Sequence, residues 1–271
     1  MPLSTTDRSV LEPVVRRLSA LRPLSSEARA SLEYAMLEGL QRAGSGDDLI
    51  AEGDPVDGVR ILLSGWLGRY KTLEDGRRQI VNFIFPGESC DAHAYLLSEM
   101  DHSIAALTPV VYAEIKRARF ESLLANNPTL SEAFWCETLL NSAIQREWAI
   151  NLGRRVALER VAHLFCEIVE RLRPVGMVDG NSCLMPVTQM DLADATGLSV
   201  VHLNRTLQEL RAAGLIVLRE RTLTIPDLNA LKNAALYSPS YLRLYRETEA
   251  GDAALPRLRR PLVGDLRSAP E

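Results

Sequence analysis

The sequence predicts an α+β chain: a β-roll of the double-stranded β-helix or jelly-roll type with flanking helices, one long helix, and a C-terminal winged helix-turn-helix. Three observations predict it. Glycines at 53, 65, 76 and 87 stand 12, 11 and 11 residues apart among short apolar runs, the rhythm of short antiparallel strands closing into a roll. An unbroken helical pattern occupies Thr129 to Gly153. Between Thr188 and Ile216, helix-start, turn and cap residues follow one another in the order of two short helices crossing at a tight turn.

With 271 residues the chain can bury two cores. No apolar run reaches membrane-spanning length and the N-terminus lacks a signal-peptide segment, so a cytoplasmic protein with no membrane partner is expected. The cysteines at 90, 136, 166 and 183 form no C-x-x-C pair, which argues against a disulfide framework or a zinc knuckle. Residues 1–153 hold 15 Lys/Arg against 21 Asp/Glu, whereas 154–221 hold 9 against 8, all nine of them arginine. That distribution does not suit a bulk nucleic-acid coater; it suits bidentate contacts at specific places.

In chain order, residues 7–43 read as packing helices, with Val14, Val15, Leu18, Leu21, Leu32, Met36 and Leu40 mostly three or four apart and a joint at Arg22-Pro23. Strands follow from Asp47, with a helical excursion over Ala92–Ser98 and a return to strand over Ser103–Ile115. The sensor-like unit is placed at 10–128, the long helix at 129–153 and the next unit at 154–236. The long helix has an apolar face broader than one domain needs, so it is expected to dimerise, with Leu140, Ala143, Ile144 and Trp148 at the interface. A hinge is expected over Asn151–Arg155, then a helix from Ala157 stopped at Arg173-Pro174. Met177–Pro186 reads as a turn-rich linker and Asp227–Leu236 as a last short helix. The Pro-, Arg- and Glu-rich tail 237–271 is expected to be mobile.

Thr188 with Asp191 three residues on is a capping box, Gly197 supplies a left-handed turn and Ser199 caps the second helix. Leu203, Leu207 and Leu210 form that helix's buried face. Val200, Val201, His202, Asn204, Arg205 and Gln208 are left outward, and such a set matches base edges in the major groove: arginine to guanine, asparagine to adenine, valine to a thymine methyl. Two β-branched runs around Arg219-Glu220-Arg221-Thr222 read as a wing carrying Arg219 and Arg221.

This order of parts, together with Pro86-Gly87-Glu88 in the roll, resembles the cyclic-AMP receptor/FNR (CRP/FNR) family of bacterial transcription regulators over about residues 10–236. The resemblance implies a cyclic-nucleotide-binding-like sensor domain and a homodimer that reads a palindromic DNA site, with RNA polymerase as a further partner. By the same likeness Val201, Asn204 and Arg205 stand where family members read bases. Val201 replaces a common glutamate, so the preferred half-site should differ.

The resemblance also locates a sensor pocket around Glu88, Cys90, Asp91, His93, His102 and Ser103. Cyclic nucleotide binders carry Gly-Glu-Leu and Arg-Ser there; here the stretches read Asp91-Ala92-His93 and His102-Ser103. Cyclic AMP is therefore not expected, Asp91 being read as an unscreened acid that repels phosphate. A four-cysteine iron-sulfur cluster is excluded because no cysteine precedes Cys90. Haem or redox sensing stays as the alternative on Pro2 and His93, with Cys90 nearby. The rivals are a cupin-like metal enzyme on His93, His102, Asp91 and Asp101, whose ligand set is incomplete, and a protein-binding adaptor with a degenerate helix-turn-helix. No enzymatic activity, no resident cofactor and no metal are expected.

Overall fold

The computed structural model describes residues 5–242. Pro2 and tail residues 243–271 lie outside them, whereas the start of the expected mobile tail, 237–242, is packed instead, with Tyr237 8% exposed and the Tyr241 hydroxyl donating to Glu167 at 2.7 Å. Two helices open the chain, α1 (Thr5–Leu21) and α2 (Ser26–Glu38). The second is capped by Ser25, whose hydroxyl accepts from the Ala28 amide at 3.1 Å. The helical expectation for 7–43 ends too late: Leu40–Ala43 is a strand, β1, paired antiparallel with 110–113. Its Leu40 is 40% exposed, so the i,i+4 match to Met36 was coincidental.

The roll is built from β1 and seven further strands: β2 (Asp48–Ile50), β3 (Gly58–Ser64), β4 (Leu67–Thr72), β5 (Arg78–Ile84), β6 (Ser89–Cys90), β7 (Ser103–Ala106) and β8 (Val110–Lys116). They form two antiparallel sheets in the orders β1-β8-β3-β6 and β2-β7-β4-β5. Gly87 shows why the glycine rhythm matters. Its φ is +95°, and a Cβ there would stand 2.7 Å from the Pro13 carbonyl oxygen of α1, so only glycine both makes the turn and lets the helix close over the roll. The excursion after Cys90 shortens to a single 3-10 turn, Ala94–Leu96.

Helix α3 (Arg117–Asn126), an element not expected from the sequence, leads into α4 (Pro128–Arg154), with proline in the first turn where its missing N–H costs nothing. The structure corrects the dimer residues. Leu140, Ala143, Ile144 and Trp148 are 0–5% exposed within the single chain, and Leu140, Ile144 and Trp148 pack in its own core. Trp148 also donates from Nε1 to Glu167 at 2.9 Å. The broad apolar face is two faces. The outward one carries Trp135, Leu139 and Ile150 at 50, 60 and 49% exposure.

The break in the helices falls at Arg155-Val156, because α4 runs through Arg154 and Asn151 is buried against the following helix, with Nδ2 donating to the Arg160 carbonyl. Helix α5 (Ala157–Leu172) is followed by β9 (Ser182–Leu184), α6 (Gln189–Thr196), α7 (Val200–Ala212), β10 (Val217–Arg219), β11 (Thr222–Thr224) and α8 (Leu228–Ala234). The expected linker 177–186 holds a strand: β9 pairs with β11, giving a three-stranded wing sheet. Ser182 and Cys183 showed no alternating pattern because so short a strand has room for none.

Candidate nucleic-acid interface and sensor cavity

The helix-turn-helix forms through the local chemistry its sequence carries. The Thr188 hydroxyl accepts from the Asp191 amide at 3.1 Å, and the Asp191 carboxylate accepts from the Thr188 amide at 3.0 Å, closing the box at the start of α6. Gly197 adopts φ 63°, ψ 31°, and Ser199 Oγ accepts from the His202 amide at 3.2 Å. Leu203, Leu207 and Leu210 are fully buried. Val201 is 81% exposed, and the Arg205 side chain, 68% exposed, is tied only loosely to Glu209 at 3.8 Å. Thr188, Ser199 and Gln208 are exposed too, whereas Val200, His202 and Asn204 are half-buried at the edges of the outward face.

The wing turn is tighter than expected. Arg219 pairs with Thr222, leaving Glu220 (φ 48°) and Arg221 (φ 60°) as the two turn residues in the left-handed region. Both arginines are exposed at its tip, the mirror-image turn matching the twist of the strands it joins.

A cleft of about 680 Å³ opens between the roll and α4. Of the six predicted pocket residues, Asp91, His93 and His102 line it. Glu88, Cys90 and Ser103 do not. Glu88 faces the protein interior against Arg17 and Arg171, Cys90 belongs to the roll's core, and the Ser103 hydroxyl accepts from the Glu52 amide. Burial, with Asp91 beside it, pushes the Cys90 thiol up to about 12, the opposite of a reactive thiolate.

Asp91 is not an unscreened acid, which corrects that reading. Arg69 of β4, 6% exposed, places Nη2 2.7 Å from one Asp91 oxygen, and His102 Nε2 stands 2.9 Å from the other. Burial by itself would raise the Asp91 carboxyl; Arg69 and His102 outweigh it and hold it at about 2. Asp91 sits at φ 60°, a conformation that turns its carboxylate onto Arg69 and that non-glycine residues seldom adopt. His93 stacks on Trp135 with ring centroids 3.9 Å apart and has Nδ1 3.0 Å from Thr138 Oγ1.

Arg69 and the α4 residues Thr138, Asn141, Ser142 and Gln145 also line it, none of them expected from the sequence. A signal existed for Arg69: Leu67 points inward, so strand alternation points Arg69 inward as well, and a buried arginine needs an acid.

Residues 40–127 match the family model for the cyclic nucleotide-binding domain, and residues 159–234 match that for the Crp-like helix-turn-helix domain. The chain belongs to the CRP/FNR family of transcription regulators. Among similar CRP/FNR proteins is the transcriptional activator protein FnrL of Cereibacter sphaeroides, 26% identical over 225 residues that cover 82% of this chain and 89% of FnrL. The nitrogen fixation regulation protein FixK of Azorhizobium caulinodans is 29% identical over 189 residues, covering 69% of this chain and 73% of FixK. The fold agrees with the solved structure of FixK2 from Bradyrhizobium japonicum, at a TM-score of 0.66 and 22% identity, covering 73% of this chain and 98% of that one.

This CRP/FNR chain is a DNA-binding transcription regulator with its helix-turn-helix at 188–212. Among its described residues no group of three or more His, Cys, Asp or Glu could hold a metal ion, and no helix is long and apolar enough to cross a membrane.

Proposed function

We propose that the chain binds a palindromic DNA site as a homodimer and does so without a cyclic nucleotide. The observation that carries the dimer is the outward face of α4. Trp135, Leu139, Ala149 and Ile150 lie exposed along it, an apolar strip that a second copy of the helix would cover. Over its 27 residues α4 spans about 40 Å, enough to hold two recognition helices about one helical turn, ~34 Å, apart on DNA.

Val201, Asn204 and Arg205 then read bases, with Val200, His202 and Gln208 beside them, while Thr188, Ser199, Arg219 and Arg221 meet phosphates. The dimer works in the cytoplasm and presents RNA polymerase with a promoter-bound partner. In the sensor, Asp91 already holds the arginine that an anionic effector would need, and this pairing supports a regulator indifferent to cyclic AMP.

Anisotropy titrations on a selected site and on a scrambled duplex test the reading. Arg205→Ala should cost about 1–3 kcal/mol on the selected site and relax one base position; equal affinity of the parent protein for both duplexes sinks it. Cyclic AMP should leave the titration unmoved, and a shift on its addition would return the cleft to nucleotide sensing. An absorbance spectrum of natively purified protein with a Soret band would instead restore haem on His93.

A further inference from the structure

The β4–β5 hairpin of the sensor reaches across to the helix-turn-helix. Arg78, the first residue of β5, places Nη2 2.8 Å from Asp191 Oδ1 and Nε 2.8 Å from Asp194 Oδ2, so one guanidinium grips two carboxylates of α6. Its neighbour Gln79 donates from Nε2 to the Asp194 carbonyl at 2.5 Å. Asp191 keeps its other oxygen for the Thr188 cap, so the carboxylate that starts α6 also anchors it to the sensor. The same strand is fastened to the long helix, since Gln145 of α4 donates to the Val81 carbonyl at 3.1 Å. Strand β5 thus stands as a strut between the helix that carries the exposed seam and the first helix of the DNA reader.

We propose that Arg78 and Gln79 are positioning residues for DNA recognition: they set the angle and separation of the helix-turn-helix relative to α4, and through it the half-site spacing that the dimer accepts. The direction follows from what the grip leaves free. It engages α6 on Asp191 and Asp194, whose side chains are 10 and 19% exposed, and leaves Val201, Arg205, Thr188 and the wing arginines exposed. It also offsets one of the two negative charges on a helix that must lie close to phosphates. An arginine is required, because a lysine ammonium cannot span both carboxylates in one plane. The contact therefore supports binding instead of blocking it.

This inference rests on the dimer reading above, and the experiment separates the two. Anisotropy is measured with the full-length protein, Arg78→Ala, Arg78→Lys and the charge-reversed pair Arg78→Glu/Asp194→Arg. The probes are the selected palindrome, the same site with one base pair added or removed between half-sites, and a single half-site. Thermal melts confirm that each variant is folded.

Arg78→Ala should lose tenfold or more on the palindrome, change less than threefold on the half-site, and bind the altered spacings nearly as well as the original. Arg78→Lys should fall between, and the reversed pair, which restores the contact at position 194 but sets an acid against Asp191, should regain part of the loss. An Arg78→Ala protein with unaltered affinity and spacing preference overturns the proposal, as does one that binds more tightly or loses equally on the half-site. Parent protein that binds the palindrome no better than the half-site overturns the dimer reading itself, and the proposal with it.

Discussion

Arg171 is 3% exposed at the junction of the two domains and remains charged there because its donors are all met. Its Nη2 donates to the Phe83 carbonyl and to Glu88 Oε2 at 2.7 Å each, Nη1 to Asn82 at 2.9 Å and Glu167 at 3.0 Å, and Nε to Glu88 Oε1 at 3.3 Å. Burial by itself would lower the Arg171 pKa, but Glu88 and Glu167 raise it on balance. Glu88 is moved down by Arg17 and Arg171 against the cost of its own burial. Such a cluster is stabilising only while complete. Arg171→Met should cost about 3–5 kcal/mol in urea unfolding, because it takes the ion-pair partner from buried Glu167 and leaves buried Glu88 with Arg17 alone. Adding Glu88→Gln should restore part of that loss, and a double variant less stable than the single one would contradict the account.

At the scale of the element, α4 has a face buried in the chain's own core and a face left exposed, the one proposed as the dimer seam, and substitutions should separate them. Leu140 is 5% exposed against the protomer core and Leu139, one residue earlier, is 60% exposed on the seam. Leu140→Ala should destabilise the protomer by about 2–5 kcal/mol, the usual cost of a core leucine truncation. Leu139→Asp should leave the protomer's secondary structure intact and shift sedimentation from dimer to monomer. Sedimentation of Leu139→Asp identical to the parent would place the interface elsewhere. Helices α6 and α7 contrast with α4, since each starts on a side-chain cap within its own first turn, Thr188 and Ser199.

For the whole molecule, pH reaches stability through the contact between α5 and the segment after α8. His163 is 1% exposed, with the Tyr237 ring 4.9 Å away and the Tyr241 ring stacked at 6.1 Å. Burial, with Arg155 nearby, pushes its pKa down to about 3. Glu147, 3.3 Å from Nε2, is already paired to Arg155 at 2.7 Å. An unfolded histidine takes up its proton near pH 6.5 while the folded one refuses it until about pH 3. The unfolded state then binds more protons, and stability falls as pH drops through that window, by up to about 1.4 kcal/mol per pH unit from this group. His163→Gln should show a shallower loss between pH 7 and 5 in urea titrations; parallel curves for parent and variant would remove His163 as the cause.

The sequence by itself determined the helix-turn-helix, the wing, the rolled strands and the existence of the long helix. Their signals are local: Thr188 and Asp191 lie three residues apart, Ser199 caps its own helix, and Gly87 needs a positive φ wherever its helix packs. Only the tertiary structure decided which face of α4 turns inward, since Leu139 and Leu140 are the same residue type and differ only in what packs on them. It also decided that Asp91 is neutralised by Arg69, 22 positions away, and that Arg78 holds Asp194, 116 positions away. A charge reveals its residue type in the sequence but not its partner. Pairing across such distances leaves no periodicity to read, because the fold, not the chain, brings the two groups together.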